Sequence, residues 1–110
     1  MATDLYKNFQ TQPGVLTAVT LLTAPAASGS SSQVSSISGI NKHATLAATL
    51  IVFVGGSAAA NTLFSVTLNP GESFERVGII VLEPSETLQA TVSVITSVVI
   101  NGSYLETTGP

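Results

Sequence analysis

Leu68-Asn69-Pro70-Gly71-Glu72-Ser73 and Leu82-Glu83-Pro84-Ser85-Glu86 bracket the stretch Phe74-Glu75-Arg76-Val77-Gly78-Ile79-Ile80-Val81-Leu82. Its reading decides the fold class. In the first segment Pro70 presets φ near about −65° and Gly71 supplies the positive φ of the next position, which together specify a type II turn. The second segment repeats the device, and Pro84 cannot donate to a strand ladder, so it ends the strand before it. The stretch between them joins the two turns as a strand, with apolar runs on both flanks. The sequence therefore spells strand, tight turn, strand, tight turn, strand. A slip of one residue in the middle strand would exchange its two faces, so the turns also set the register.

Working outward, residues 61–68 alternate with Phe64, Val66 and Leu68 on one face. Residues 87–94 alternate too, with Leu88, Ala90, Val92 and Val94 inward and Thr87, Gln89, Thr91 and Ser93 outward. Residues 46–54 are nearly all apolar, and Ile51-Val52-Phe53-Val54 opposes a helix, so they are expected to form a central strand buried on both faces. A hairpin loop over residues 55–60 follows. Upstream, residues 15–23 read as a strand, residues 26–32 as a flexible Ser/Gly loop, and residues 33–41 as a weaker strand. Val34, Ile37 and Ile40 break simple alternation there, and a bulge near Ser36 or Gly39 would reconcile them. Asn41-Lys42-His43 is the next turn. Downstream, residues 95–97 turn the chain into a last strand over residues 98–106, with Val98, Ile100 and Tyr104 on one face and Gly102 between them.

Residues 1–14 differ in composition and end on the breaker pair Pro13-Gly14. Leu5 and Phe9 would share a helical face, and Tyr6 and Phe9 are two of only six aromatic residues in the chain. We read this stretch as an N-terminal arm with Leu5, Tyr6, Lys7 and Phe9 as partner-binding residues. The expected fold is all-β: an antiparallel β-sandwich or small jelly roll of about seven strands. Residues 15–110 form its single domain and residues 1–14 the arm.

Composition narrows the function classes. Charged residues make up 8% of the chain, against about 25% in an average soluble protein, while Ser and Thr occur 14 times each. The surface is therefore neutral and hydroxyl-rich, with little self-repulsion to keep copies apart, as suits life inside an assembly. Three basic residues (Lys7, Lys42 and Arg76) and a net charge of −3 give no phosphate-binding cluster, so nucleic acid is not an expected partner. Without cysteine there is no disulfide or thiolate metal site. The start lacks a signal-peptide pattern, and the longest apolar run is well short of the ~20 residues that span a bilayer. A soluble chain not secreted by the Sec route, without a membrane partner, is the expectation.

Catalytic constellations are weak. His43 is the only histidine and has no acid near it in sequence, so a turn role is expected rather than a triad or metal role. Glu72 with Glu75 and Glu83 with Glu86 flank successive turns, which lie at opposite ends of one strand. They cannot face each other as glycosidase carboxylates do, and each pair is too sparse for calcium. Gly55-Gly56-Ser57 lacks the Gly-Lys-Ser/Thr ending of a phosphate loop. Asn101-Gly102-Ser103 matches a glycosylation sequon but falls inside a strand. Arg76 is expected on a solvent or interface face, beside a neighbouring Glu. No enzyme and no cofactor are expected.

Residues 36–106 resemble a class of small tailed-bacteriophage virion proteins. The likeness rests on residues 37–41 leading into the Asn turn, the strands over residues 46–68, Leu68-Asn69-Pro70-Gly71-Glu72-Ser73, Val81-Leu82-Glu83-Pro84-Ser85-Glu86 and Ser103-Tyr104-Leu105-Glu106. The chain departs from that pattern at Glu83-Pro84-Ser85, where a Gly-containing turn is more usual. The resemblance implies a non-enzymatic virion structural protein, made in the host cytoplasm and placed on the capsid surface as a head decoration (cement) protein. Its implied partners are the major capsid protein and neighbouring copies of itself, as a homotrimer or another homo-oligomer. Two alternatives are a tail, neck or fibre-associated module and a carbohydrate- or host-surface-binding sandwich; the second is disfavoured by the absence of Trp and by only two Tyr.

Overall fold

A computed structural model of the chain describes residues 3–56 and 58–109. It is all-β, with eight strands: β1 Thr3–Thr11, β2 Val19–Thr23, β3 Ser31–Asn41, β4 Ala48–Val54, β5 Thr62–Leu68, β6 Ser73–Leu82, β7 Thr87–Val92 and β8 Val98–Thr108. A single turn of 3₁₀ helix, Ala59–Asn61, closes the loop between β4 and β5.

The pairing has a simple rule. β1 runs antiparallel to β8, β2 to β7, β3 to β6 and β4 to β5, so the chain is one long hairpin folded back at the loop after β4. Two further antiparallel contacts, β3 with β8 and β4 with β7, roll that hairpin into two sheets. Their orders are β1-β8-β3-β6 (sheet A) and β2-β7-β4-β5 (sheet B). This is the double-sheet jelly roll, the finer of the two expected sandwich forms. The eighth strand comes from the stretch read as an arm, which lies along β8 as the edge strand β1 over nine paired positions. Leu5 and Phe9 do share a face, because a spacing of four suits the two-residue period of a strand as well as the helical period.

The core fills the space between the sheets. Val34 and Ile37 of β3, Leu82 of β6 and Val98 and Ile100 of β8 meet Leu50 and Val52 of β4, Leu68 of β5 and Leu88 and Ala90 of β7, all buried. Each large aliphatic among them contributes about 1.5–3 kcal/mol by leaving water. The irregular pattern of β3 is a bulge between Val34 and Ser36, where two steps of β3 face one of β8; against β6 the register also shifts there, with the extra residue on β6. It sends Val34 and Ile37 to the same face although they are three residues apart. Ile40 then points outward and is half-buried. The apolar run over residues 46–54 is a central strand as expected, but it begins at Ala48 and its outer-face residue Ile51 is only half-buried. The strand expected from residue 15 begins at Val19, leaving Val15 and Leu16 exposed in the loop before it.

The loops gather at two ends. At one end, Thr96 N–H donates to Pro13 O, Lys42 N–H to Ser97 O, and Asn41 N–H to Glu72 O, which ties together the β1–β2, β3–β4, β5–β6 and β7–β8 loops. At the other end, Ala24 N–H donates to Glu86 O, Ser85 N–H to Pro25 O, and Gly55 N–H to Thr87 O, which joins the β2–β3, β4–β5 and β6–β7 loops. The two acidic turns thus sit at opposite ends of β6, as their spacing required.

A candidate partner-binding surface

Three of the side chains that sequence reading singled out for chemistry, Glu72, Glu86 and His43, are engaged in turn geometry. Glu72 N–H donates to Asn69 O at 2.9 Å and Gly71 has φ of 80°, so the first turn is type II. The Glu72 carboxylate also accepts from the Asn69 N–H at 3.1 Å. The second turn copies this: Glu86 N–H donates to Glu83 O, the Glu86 carboxylate accepts from Glu83 N–H at 2.8 Å, and Ser85 takes the positive φ of 67°. His43 Nδ1 accepts from the Thr45 and Leu46 N–H groups, which makes the ring a cap for the turn after β3. Among the described residues no group of three or more His, Cys, Asp or Glu is placed to hold a metal ion. No helix among them is long and apolar enough to cross a membrane.

Asn41 was read only as part of a turn, and the structure gives it a larger role. Its fully buried amide donates to Leu46 O and Leu68 O, both at 2.9 Å, while its side-chain oxygen accepts from His43 N–H. One side chain thus joins the ends of β3 and β5 to the loop between β3 and β4.

The four arm residues divide. Phe9 turns inward onto Tyr104, with ring centroids 6.2 Å apart, and packs against the core. Lys7 Nζ donates to a Glu106 carboxylate oxygen at 3.0 Å. That hydrogen bond, with the charge behind it, holds the Lys7 ammonium above the usual lysine range. Leu5 is half-exposed at the edge, and Tyr6 is 89% exposed on the outer face of sheet A. Of the four, Tyr6 is the most exposed.

What sequence reading missed lies across the sheet from it. Tyr6, Leu105, Gln33 and Val81 stand opposite one another in a single row over β1, β8, β3 and β6. Along β6 the outward residues Val77, Ile79 and Val81 are 76%, 72% and 50% exposed. Many outward positions elsewhere are polar, such as Gln33, Ser35 and Ser38 on β3 and Thr87, Gln89 and Thr91 on β7, and the outward Ile40, Ile51 and Leu105 are partly covered. The signal was in the sequence, since residues 77–82 are apolar without alternation apart from Gly78. A continuous run says that both faces are apolar, but not that one of them meets solvent. Arg76, expected beside a glutamate, instead holds its guanidinium over the Phe64 ring, 5.1 Å from the centroid, and makes no ion pair among the described residues. Between Tyr6 and Ile79 the outer face dips into a groove of about 330 Å³, floored by Gln33, Ser35, Ser103 and Leu105. The floor hydroxyls are satisfied by one another: Ser35 and Ser36 each lie 3.1 Å from Ser103 Oγ.

A second apolar area caps the end where the β1–β2, β3–β4 and β7–β8 loops meet. Val15, Leu16, Leu46 and Ile95 each leave about half their surface exposed there.

An eight-stranded jelly roll with one aliphatic outer strand and an apolar tip is the kind of molecule that these features define. No protein-family model matches the chain, and neither does any curated protein. Solved structures do. The fold is similar over 98% of this chain and 94% of the other to a chain in the acidic stable capsid structure of Helicobacter pylori bacteriophage KHP30, with a TM-score of 0.63 and 10% identity. It is also similar to part of dimeric latent PorU from Porphyromonas gingivalis, with a TM-score of 0.52 and 11% identity over 96% of this chain; the match takes in 12% of that much longer chain.

Proposed function

We propose that this chain is a structural component of a bacteriophage particle, with no catalytic role, and that it serves as a capsid decoration (cement) protein bridging major capsid proteins. The observation that carries this reading is the end-to-end likeness of the fold to one whole chain of a phage capsid structure. It agrees with the neutral, hydroxyl-rich composition and with the Glu72 and Glu86 carboxylates and His43 Nδ1, which are engaged in turns. We assign the apolar tip formed by Val15, Leu16, Leu46 and Ile95 to the capsid lattice, since a protein at the virion surface needs its exposed aliphatic residues covered. Tyr6, on the edge strand, faces neighbouring copies.

Copy number tests the reading. Quantitative protein analysis of purified particles, with imaging to locate the chain, is expected to give hundreds of copies on the head shell. A dozen copies or fewer, or a location on the tail or neck, would reject the decoration role and select the tail or fibre module instead.

A further inference from the structure

We infer that the outer face of sheet A is a self-complementary dimer surface, in which the β6 ridge of Val77, Ile79 and Val81 in one copy fills the Tyr6-to-Ile79 groove of a second copy. Ridge and groove lie side by side on one face, so a single two-fold axis places each ridge in the other copy's groove.

Three observations choose a second copy. The first is chemical. The floor hydroxyls of Ser35 and Ser103 are bonded to each other, and an aliphatic ridge asks no further hydrogen bond of them. The second is electrostatic. The only charges along β6 are Glu75 and Arg76, of opposite sign, and Arg76 is turned away onto Phe64, so two copies meet without like charges opposed across the ridge. The third is area. The ridge of Val77, Ile79 and Val81 and, across the polar floor, Tyr6 together expose on the order of 500 Å² of mostly apolar side chain. With the polar floor between them the face approaches the roughly 800 Å² per partner of a standard interface.

The contact is face to face and not an extension of the sheet. β6 is an edge strand, but opposite the β3 bulge it carries Gly78 at φ of 149°. Bulged edges twist their free backbone groups away from an incoming strand. The ridge side chains are left as the means of contact.

The test is the state of the purified full chain in solution. Sedimentation equilibrium at about 100 μM is expected to show a dimer, and Ile79→Asp is expected to weaken it by about a hundredfold or more while far-UV circular dichroism stays unchanged. A wild-type monomer, an odd-numbered oligomer, or a dimer indifferent to Ile79→Asp would overturn the inference. The chain has no cysteine, so a second arm needs no background correction. Equal amounts of Ile79→Cys and Ser35→Cys chains, mixed and mildly oxidised, should yield the mixed disulfide in preference to either homodimer; its absence overturns the ridge-in-groove geometry. This surface stands apart from the virion reading. A monomer that still occupies capsids in high copy defeats this inference alone, and a dimer missing from particles defeats only the other.

Discussion

Phe9 lies across Gly102 so closely that a Cβ on residue 102 would fall 2.2 Å from the ring and 2.9 Å from the Ser36 carbonyl oxygen. The two residues are direct partners in the β1–β8 ladder. The missing side chain lets the ring cross β8 toward Tyr104 and the core, so this pair fastens the edge strand to the sandwich. Gly102→Ala is expected to destabilise the protein by about 1–3 kcal/mol in denaturant unfolding, the usual range for overpacking. In a Phe9→Ala background the same substitution should cost less, since the ring is then gone and only the Ser36 contact persists. A strictly additive double mutant would contradict the arrangement.

β1 contributes nine ladder positions and the Phe9 ring. Removing residues 1–11 exposes the β8 edge and uncovers Gly102. The shortened chain is expected to remain all-β but to melt about 10 °C or more below the full chain. An unchanged melting temperature would mean that the stretch is an appendage and not a working strand.

Asn41 satisfies three backbone groups at once. Asn41→Ala leaves the Leu68 carbonyl buried without its donor and frees the turn after β3. A loss of about 3 kcal/mol is expected, measured by chemical unfolding. Asn41→Asp should do no better, because it offers an acceptor where two carbonyls need donors.

Ser85 holds the positive φ that Gly71 holds in the matching turn. A non-glycine residue there carries local strain. Ser85→Gly is expected to stabilise the fold by about 0.5–1 kcal/mol, less than the full strain because glycine also loosens the unfolded chain. Gly71→Ser should destabilise for the mirror reason. Thermal melts of the two variants decide both.

The apolar tip is open to a direct test on particles. Ile95→Asp and Leu16→Asp change exposed loop residues, so folding should be unaffected. Binding to empty capsids is expected to fall by about tenfold or more for each. Full binding by both would move the capsid contact elsewhere on the molecule.

Much of the fold was legible because its causes are local. Pro70-Gly71 can make only a few turns, Pro84 ends a strand wherever it stands, and the alternation over residues 87–92 names its own buried face. The displaced pattern of Val34 and Ile37 even pointed to a bulge, and the structure has one next to Ser36. Turn chemistry and side-chain period need no knowledge of distant residues, so the all-β class and the separation of the acidic pairs follow from them.

Sheet position is a different matter, because it depends on partners far along the chain. Residues 48–54 and 77–82 are both continuous apolar runs, yet β4 lies inside sheet B and β6 at the edge of sheet A. Apart from Gly78, little within the runs distinguishes them. β4 is flanked by β7 and β5, while β6 has β3 on one side and solvent on the other, and with their outward direction this makes Val77, Ile79 and Val81 an exposed ridge. Likewise Lys7 finds Glu106 and Phe9 finds Gly102 only after the hairpin has rolled up and brought the first strand beside the last. Composition and turns determined that this is a neutral all-β sandwich; the pairing of distant strands decided that it is a jelly roll and which of its apolar residues stay exposed.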